Sequence, residues 1–527
     1  MPRVNTDSVL DQGRRHWADV AAEAILQRPR AHHRVATGIT PSGPIHLGNM
    51  REMITGQAMY QALRGADADL VYIADTLDPL RRVYPFLPPE YQQHVGKPLA
   101  CVPDPWGCCQ DYADHFLRPF ITSIATLGIK PRVIRAEELY RTPEMQQLVV
   151  VTLERAEQVR RIIAEVTGRP DTEQRALYSV PCADCRHLAP AELVPPASVK
   201  YECACGKQQT LPISDAGGKL VWRVDWPARW RALGVTAEPF GKDHATAGGS
   251  YDTATRLARE IFDYEPPYPV VYEWIYLKGR GAMASSTGVG VSIQAVLEVA
   301  PPELVKFLIL RVRPEKHIDF DPGTNLLRLV EEYQQLQADY LAGGEAADAL
   351  RRRIFELSQV SATPHLYPAV PFAHLPVVLQ AAGGDAARAL EILRRTGYSL
   401  EESDLPDLEQ WLRLAANWLE RYAPEEARFQ VLETAPQVRL SPSQAALLAR
   451  LADDLAHTVW TAEQVHSAVY GALQQQGLKP AEAFQACYLA LLGKPQGPRL
   501  GYLLSSLPRA FVLTRFRQVA QSAPSNL

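Results

Sequence analysis

The chain of 527 residues lacks any apolar run of about eighteen residues, the length that a membrane-spanning helix needs. Residues 1–28 also lack the continuous apolar segment of a secretory signal. A charge excess of one sign is missing too, since 55 Lys and Arg face 59 Asp and Glu, for a formal net charge of −4. We therefore predict a cytoplasmic protein without a membrane partner, in which any nucleic acid is held by a local basic face.

Cysteine is scarce, and eight residues in a chain of this length argue against a disulfide scaffold. Four of them form two close pairs, "CADC" at 182–185 and "CAC" at 203–205, separated by seventeen residues. Two turns that each present two thiolates are typical of a zinc ribbon, so we predict a structural Zn²⁺ site. The CxC spacing leaves His187 as a substitute ligand and metal-free cysteines as the alternative. The predicted ligands are Cys182, Cys185, Cys203 and Cys205.

The other cysteines receive no metal assignment from their spacing. Cys101, Cys108 and Cys109 lie in the segment "ACVPDPWGCCQDY", where adjacent cysteines have no clear ligand geometry. We leave these three unassigned.

The hydrophobic pattern predicts an α/β protein followed by a helical region. An apolar fraction of 46% provides several cores, and this length predicts two to four domains. The segments "HHRVATGI", "NMREMITGQAMYQALRGAD" and "DADLVYIAD" are typical of a strand, a helix and a buried parallel strand, which together form a βαβ unit. "MQQLVVVTLERAEQVRRIIAEVTG" predicts one long helix, residues 181–213 show neither period, and about two hundred C-terminal residues are predicted to be helical.

The turn "TGITPSGPIHLGNM" at 37–50 joins the first strand to the helix and has the composition of a phosphate-binding loop. Free N–H groups and the partial positive charge at a helix N-terminus favour an anion. Gly43 and Gly48 allow close approach of a nucleotide, and His46 and Asn49 can donate hydrogen bonds to phosphate oxygens. On the glycines alone, the alternative is a tight turn whose histidine only caps the helix.

Longer phrases in the chain resemble one family. "PSGPIHLGN" resembles the HIGH signature of class I aminoacyl-tRNA synthetases. "TGITPSGPIHLGN", "WRVDWPARW", "FGKDHATAGGSYD" and "LLGKPQGPRLGYLLSSL" resemble the class I type of lysyl-tRNA synthetase, and the similarity covers nearly the whole chain. The resemblance implies a Rossmann-type parallel-sheet catalytic domain at 1–180 and 216–300, a zinc-binding insert at 181–215, and a helical stem and anticodon-binding domain at 301–527.

The resemblance also implies an activity, lysine–tRNA ligation. Such an enzyme activates L-lysine with ATP and Mg²⁺ to lysyl-adenylate and pyrophosphate, then transfers lysyl to the 3′ end of tRNA(Lys). No DNA partner is expected. The alternative is a paralogue that binds lysine or tRNA without full aminoacylation. An unrelated Rossmann nucleotidyltransferase is disfavoured by the insert and the helical C-terminal region.

The second class I signature, KMSKS, corresponds to "KGRGAMASSTG", where Met283, Ser285 and Ser286 are in register. The family places His46, Asn49, Ser285 and Ser286 in catalysis. Ala282 occupies the first lysine position of the motif, and we hypothesise that Lys278 or Arg280 supplies the missing cation. If neither does so, the loop favours the weakened paralogue.

Residue-by-residue resemblance predicts the rest of the site. The lysine-binding residues are Gly38, Thr40, Trp222, His244 and Tyr272. Asp75 and Asp78, at the carboxyl end of a strand, are acidic candidates for an amino group of lysine, although Asp before Pro also simply forms turns. Trp222 and Trp226 are core residues in the alternative interpretation. The ATP-binding residues are Gly43, Gly48, Asp243, Gly248, Met283, Lys278 and Arg280.

Overall fold

A computed structural model describes residues 15–168, 176–279, 281–283, 290–343 and 349–522. These residues form two compact units. The first contains the described residues among 1–297, 302–320 and 342–364, and the second contains those among 298–301, 321–341 and 365–527. No helix in the described ranges combines the length and apolar character needed to cross a membrane.

The secondary structure has the following bounds. The strands are β1 His33–Ile39, β2 Ala68–Ala74, β3 Arg132–Arg135, β4 Tyr178–Pro181, β5 Leu188–Val194, β6 Ser198–Glu202, β7 Gln208–Pro212, β8 Lys219–Leu220, β9 Ala237–Gly241, β10 Tyr268–Tyr272, β11 Ile275–Leu277, β12 Gly281–Ala282 and β13 Ile318–Phe320. The helices up to residue 310 are α1 Trp17–Leu26, α2 Leu47–Ala62, α3 Tyr112–Thr126, α4 Ala136–Leu139, α5 Pro143–Glu154, α6 Ala156–Thr167, α7 Ile213–Ala216, α8 Trp222–Leu233, α9 Ser250–Glu260, α10 Ile293–Leu297 and α11 Pro302–Leu310. The remaining helices are α12 Thr324–Ala342, α13 Ala349–Ser358, α14 Leu375–Ala381, α15 Ala386–Arg395, α16 Leu405–Arg421, α17 Pro442–Asp454, α18 Ala462–Gln476, α19 Pro480–Leu492, α20 Leu500–Ser506 and α21 Arg509–Ser522.

The centre of the first unit is a five-stranded parallel sheet in the order β10-β9-β1-β2-β3. The chain first extends the sheet from β1 to β3 and then returns to add β9 and β10 on the other side of β1. This reversal creates a switch point at the carboxyl ends of β1 and β9, where ligands bind in open α/β sheets. The predicted βαβ unit is confirmed: β1 pairs with β2 from His33 opposite Ala68 to Ile39 opposite Ala74.

Helix α2 packs closely on this sheet because Gly56 faces it. A Cβ atom at Gly56 would lie 2.6 Å from Thr37 Cγ2 and 3.6 Å from Pro239 Cγ, so any side chain there would push the helix away from β1. The close packing fixes the start of α2, and with it the turn that precedes Leu47.

The prediction of one long helix over residues 145–168 is wrong, because this segment belongs to two helices, α5 and α6. Arg155 has φ −102° and ψ 26°, a non-helical conformation that ends α5 and separates it from α6. Helix α5 packs against α8 and α6 packs against α9, so the break lets each half follow a different neighbour. No glycine or proline marks this position in the sequence.

The cysteine-bearing insert, in which no period was expected, contains strands. They form an antiparallel sheet in the order β7-β6-β5-β4-β8. In β6, Val199 and Tyr201 are buried and alternate with exposed Lys200 and Glu202, so a period of two is present but short. A second small sheet joins β11 to β12 and β13.

The second unit is helical, as predicted, and its described residues contain no strand. Ser441 caps α17 by accepting the Gln444 N–H at 3.2 Å, and Thr461 caps α18 by accepting the Gln464 N–H at 3.4 Å. The core of this unit is formed by apolar side chains of α17 to α21.

Candidate active site

A cavity of about 400 Å³ lies at the carboxyl edge of the parallel sheet in the first unit. It is the crevice that the strand order predicts. Its walls come from β1, β2, β9 and β10, from the turn before α2 and from the start of α8. Among the predicted site residues, those that line it are Gly38, His46, Gly48, Asn49, Asp75, Trp222, Asp243, His244, Tyr272 and Met283.

His46 stands immediately before α2 with its imidazole against the cavity. The residue is 8% exposed, and its Nδ1 has no hydrogen-bond partner among the described residues. Burial lowers the pKa of His46 to about 4, so the ring is neutral at pH 7. A Cβ atom at Gly48 would lie 2.7 Å from His46 Cε1, which explains the glycine two residues later.

Asn49 fixes the turn from the other side. Its Oδ1 accepts the backbone N–H of His46 at 3.2 Å, which leaves the amide nitrogen to donate elsewhere. The turn therefore presents one imidazole and one amide at the helix N-terminus, both suited to an anion.

Residues at the start of the KMSKS-like segment and just after its end contact the turn before α2. Met283 lines the cavity beside Gly48, and beyond the segment Val291 O accepts the Leu47 N–H at 3.0 Å. Ser292 forms a β-bridge with His46. Arg280, Ser285 and Ser286 lie outside the described residues. Lys278 follows β11, and its backbone N–H donates to Phe320 O at 3.0 Å.

Asp75 and Asp78, the two acids expected to bind an amino group, are already paired with cations of the protein. Arg229 and Lys219 both contact Asp75, and Lys219 also contacts Asp78. Burial opposes ionisation of Asp75, but Arg229 and Lys219 hold its pKa below the usual value. Asp78 in turn accepts the Thr40 hydroxyl at 2.7 Å. Thr40 and Asp78 therefore support the cavity wall through Lys219 and Asp75.

Two other carboxylates line the cavity without a cation partner in the described residues, Glu52 and Glu238. Glu52 accepts the Gly38 N–H at 2.6 Å and the Tyr272 hydroxyl at 2.8 Å. Glu238 accepts the indole N–H groups of Trp226, at 3.0 Å, and Trp230. Desolvation raises the pKa of Glu52 to about 8 and that of Glu238 to about 7. Glu52 is therefore largely protonated at pH 7 in the free protein, and a cationic ligand that binds beside either group favours the loss of its proton.

Sequence reasoning missed both residues, although one signal was available. Glu238 is the single charged residue in β9, whose five positions are all buried. A charge in such a strand is rare unless it is paired or functional. Glu52 lies on α2 among other polar residues, and nothing in its spacing distinguishes it from a solvent-exposed glutamate.

Aromatic rings form the wall next to Glu238. Trp222 and Trp226 stack with ring centroids 5.3 Å apart, and His244 lies 5.4 Å from Trp226 and 5.8 Å from Trp222. The alternative interpretation, that both tryptophans are core residues, fits only in part, because both also line the cavity. Desolvation lowers the pKa of His244, which keeps it neutral beside these rings.

The remaining ATP candidates lie around the loop after β9. Asp243 lines the cavity with its carboxylate about half exposed. Gly248 lies outside the cavity wall. Its φ is +71°, its N–H donates to Asp252 Oδ2 at 2.9 Å, and a Cβ atom there would meet Val166 O at 2.9 Å. Gly48 is thus in the wall, whereas Gly43 and Gly248 do not line the cavity.

The four predicted metal ligands come together at the tip of the insert. Cys182 Sγ lies 3.6 Å from Cys205 Sγ, and Cys185 Sγ lies 3.4 Å from Cys203 Sγ. All four sulfur atoms are within 4.8 Å of one another, and His187 is not part of the group. Four thiolates at about 2.3 Å from one tetrahedral ion would lie about 3.8 Å apart, so the group fits Zn²⁺.

The structure gathers a second group that sequence spacing did not reveal: Asp104, Cys108, Cys109 and His115. Cys108 Sγ is 3.5 Å from Cys109 Sγ and 3.3 Å from His115 Nδ1, which is 3.1 Å from Asp104 Oδ1. The residue that sequence spacing did not connect with the cysteines is His115. It lies one turn into α3, and its side chain contacts the loop that carries Cys108 and Cys109.

The model for tRNA synthetases class I (K) matches residues 15–361, and the model for an anticodon-binding domain matches residues 405–520. The chain is 44% identical to lysine–tRNA ligase 1 of Methanosarcina acetivorans over 97% of its own length and 99% of the relative's. It is 46% identical to the lysine–tRNA ligase of Archaeoglobus fulgidus, over 95% and 99% respectively. This chain belongs to the class I lysyl-tRNA synthetase family.

The matched segments show which domain of the family each unit contains. The first unit carries the catalytic domain of a class I synthetase, with the HIGH turn at the sheet edge. The second contains the matched anticodon-binding segment, whose described residues form helices and the loops between them, without a strand. The predicted fold class is therefore confirmed.

Proposed function

We propose that the chain is a lysine–tRNA ligase of the cytoplasm. It forms lysyl-adenylate from L-lysine and ATP and then charges tRNA(Lys). The observation that carries the proposal is a cavity in which the HIGH turn meets two carboxyl side chains, the buried Glu238 and the partly exposed Glu52, that form no ion pair with a protein cation in the described residues. Lysine is a ligand with two ammonium groups, and such groups need acceptors when they leave water. The alternative of a paralogue without aminoacylation has no support from the relatives.

Lysine recognition is assigned to Glu52, Glu238 and the groups around them. The two carboxylates accept from the amino groups, and Gly38 and Tyr272 hold Glu52 in place by donating to it. The rings of Trp222 and His244 cover the aliphatic part of the side chain. The role assigned to Asp75, Asp78 and Thr40 is indirect. They do not contact lysine but hold the side chains of Lys219 and Arg229 in place behind the cavity wall.

ATP binding is assigned to the turn before α2 and the loop after β9. His46 and Asn49 donate to the triphosphate, and Gly48 keeps the turn open to it. Asp243 accepts from the ribose hydroxyls. Lys278 or Arg280 supplies the cation of the KMSKS-like loop, together with Ser285 and Ser286. Mg²⁺ is the expected counter-ion of the phosphates.

The chemistry requires positioning rather than covalent participation. A carboxylate oxygen of lysine attacks the α-phosphorus of ATP, the bond to the bridging oxygen breaks, and pyrophosphate leaves. A hydroxyl of the terminal adenosine of tRNA then attacks the carbonyl carbon, and AMP leaves with the bonding electrons. Hydrogen bonds from His46 and Asn49 stabilise the charge that develops on the phosphates.

A charging assay tests this proposal. Purified protein with lysine, ATP, Mg²⁺ and tRNA(Lys) is expected to form lysyl-tRNA, and arginine or glutamate in place of lysine is not. The double variant Lys278→Ala with Arg280→Ala is expected to lower the rate about 10²-fold, because it removes both candidate cations of the loop. The matched control is Lys200→Ala in the insert. A double variant that charges at the wild-type rate would end the substitute-cation hypothesis, and absence of charging by the wild type would refute the function.

We also propose that both cysteine-containing groups hold structural zinc. Elemental analysis is expected to give two Zn²⁺ per chain in the wild type. Cys182→Ser with Cys203→Ser, and separately Cys108→Ser with Cys109→Ser, each lower the content to one, and the first pair also lowers the melting temperature because the ion folds the insert. Cys487→Ser, at a buried cysteine outside both groups, is the control. A metal content unchanged by either pair would contradict the assignment.

A further inference from the structure

The second unit contains a cavity of about 890 Å³ to which the proposed function assigns no ligand. Its size is within the range of small-molecule sites. The part of its wall from Thr461 to Tyr502 lies within the segment matched by the anticodon-binding model. Residues of α18, α19 and α20 line it, together with residues 396–398. Gly501 brings α20 close, since a Cβ atom there would lie 2.5 Å from Ala462 O.

The wall is rich in aromatic rings that are not fully buried. Tyr398, Phe484 and Tyr502 are partly exposed, and His466 is exposed at the rim. Unpaired nucleobases of single-stranded nucleic acid stack on such rings. Arg499 extends from the same rim, with its guanidinium carbon 5.9 Å from the Tyr502 ring centroid and its head group paired with Glu331 at 2.5 Å. A cation beside stacking rings suits the phosphate that accompanies a base.

The buried His374 lies behind this wall and holds two of its rings. Its imidazole stacks on Tyr502 at 4.4 Å with an interplanar angle of 15°. Nδ1 lies 2.9 Å from the Tyr398 hydroxyl, and Nε2 lies 2.9 Å from Ser506 Oγ. Desolvation lowers the pKa of His374 to about 4, so one nitrogen carries a proton and the other is an acceptor.

The neighbours of His374 decide which nitrogen carries the proton. The Ser506 hydroxyl donates its only proton to Tyr502 O at 2.7 Å, so toward Nε2 it can only accept. Nε2 therefore carries the hydrogen, and Nδ1 accepts the proton of the Tyr398 hydroxyl. Since that proton is committed to His374, the Tyr398 oxygen can offer the cavity only its lone pairs.

We propose that this cavity receives one unpaired anticodon base of tRNA, and that Tyr398 selects a base that presents an N–H group to it. His374 is the positioning residue that sets the hydrogen-bond polarity of Tyr398. The inference rests on the proposed function, because it names the subsite through which the same tRNA is read. Uracil presents N3–H, and the lysine codons AAA and AAG require uridine at two anticodon positions, so an acceptor in the wall suits this tRNA.

The test uses the full-length enzyme and tRNA(Lys) transcripts in which 3-methyluridine replaces one anticodon uridine at a time. N3-methylation removes the N–H group and leaves the base able to stack. With the wild type, methylation at the position read by the cavity is expected to lower the kcat/KM of charging about tenfold or more. Tyr398→Phe is expected to cause a similar loss with the unmodified tRNA, and methylation at that position then has no further effect, because the two changes remove the same hydrogen bond.

Tyr470→Phe is the matched control, since it removes a hydroxyl from the same helical unit outside the cavity wall. The proposal would be overturned if the loss of kcat/KM caused by Tyr398→Phe added to the loss caused by methylation at every uridine. It would also be overturned if Tyr398→Phe and Tyr470→Phe lowered kcat/KM equally. Lysine binding measured by calorimetry is expected to be the same in all variants. Failure of the wild type to charge any transcript would instead refute the proposed function itself, so the two failures are distinguishable.

Discussion

Glu52→Gln is expected to weaken lysine binding roughly 10²-fold, the largest effect we predict for a single substitution on affinity. Glutamine keeps the size of the side chain, but its single carbonyl oxygen can replace only one of the two oxygens that accept from the Gly38 N–H and the Tyr272 hydroxyl, and it cannot neutralise an ammonium group. Leaving a buried charge without its partner costs about 3–5 kcal/mol. Calorimetric titration with lysine in the absence of ATP measures the effect directly.

The matched control for Glu52 is Glu273→Gln. Glu273 follows β10 close to the same cavity, but its carboxylate is paired with Lys242 at 2.5 Å. Its loss is expected to change lysine affinity by less than about threefold. Equal effects of the two substitutions would mean that the cavity attracts lysine through its general negative charge and not through Glu52.

The pH dependence of lysine binding follows from the same carboxylate. The pKa of Glu52 is about 8 in the free protein, so it must lose a proton before it can pair with an ammonium group. Lysine affinity is therefore expected to rise between pH 6 and pH 8 with release of protons, by at most about tenfold per pH unit for each titrating group. Glu52→Gln is expected to flatten this rise.

The stability of the free protein should show the opposite trend. The pKa of Glu52 in the folded state lies above the usual glutamate value of 4.5, so between these two values the folded state binds more protons than the unfolded state. The contribution of Glu52 to stability is therefore lost as the pH rises through about 8. Thermal melts of the wild type and Glu52→Gln between pH 5 and pH 8.5 should converge at the acidic end.

His46→Ala is expected to lower the rate of lysyl-adenylate formation about 10²- to 10³-fold, the largest effect that we predict on rate. The substitution removes a neutral donor aimed at the position where charge develops on the triphosphate, and losses of this size are typical for such donors. Lysine affinity is expected to change little, because the described hydrogen bonds of Glu52 and Glu238 do not involve His46. Lysine-dependent ATP–pyrophosphate exchange measures this rate.

Two further variants test whether the loss of rate is specific to the His46 imidazole. Gly48→Ala keeps the imidazole but places a methyl group 2.7 Å from its Cε1, so it is expected to reproduce much of the loss by displacing the ring. His317→Ala, at an exposed histidine, serves as the control and is expected to leave the rate unchanged. An exchange rate for His46→Ala within about threefold of the wild type would remove His46 from the mechanism.

Much of the fold could be predicted because it depends on local pattern. The βαβ unit around residues 33–74 follows from two continuous apolar strands and a glycine-rich turn, and the caps at Ser441 and Thr461 follow from residue type. The break at Arg155 could not be predicted, because it depends on α8 and α9, which come much later in the chain. The insert sheet was missed because its strands have only four to seven residues before β8, too few for a clear period.

The sequence by itself determined the class of fold, the turn that carries His46 and Asn49, and the set of four cysteines, because each is encoded by residues that are close together in the chain. Only the tertiary structure decided which acids are available to a ligand. Asp75 and Asp78 are paired with Lys219 and Arg229 from a segment more than a hundred residues away, whereas Glu52 and Glu238 have no such cation in the described residues. Charge pairing and burial depend on contacts across the sheet, and these are fixed by the order of its strands and not by the spacing of residues.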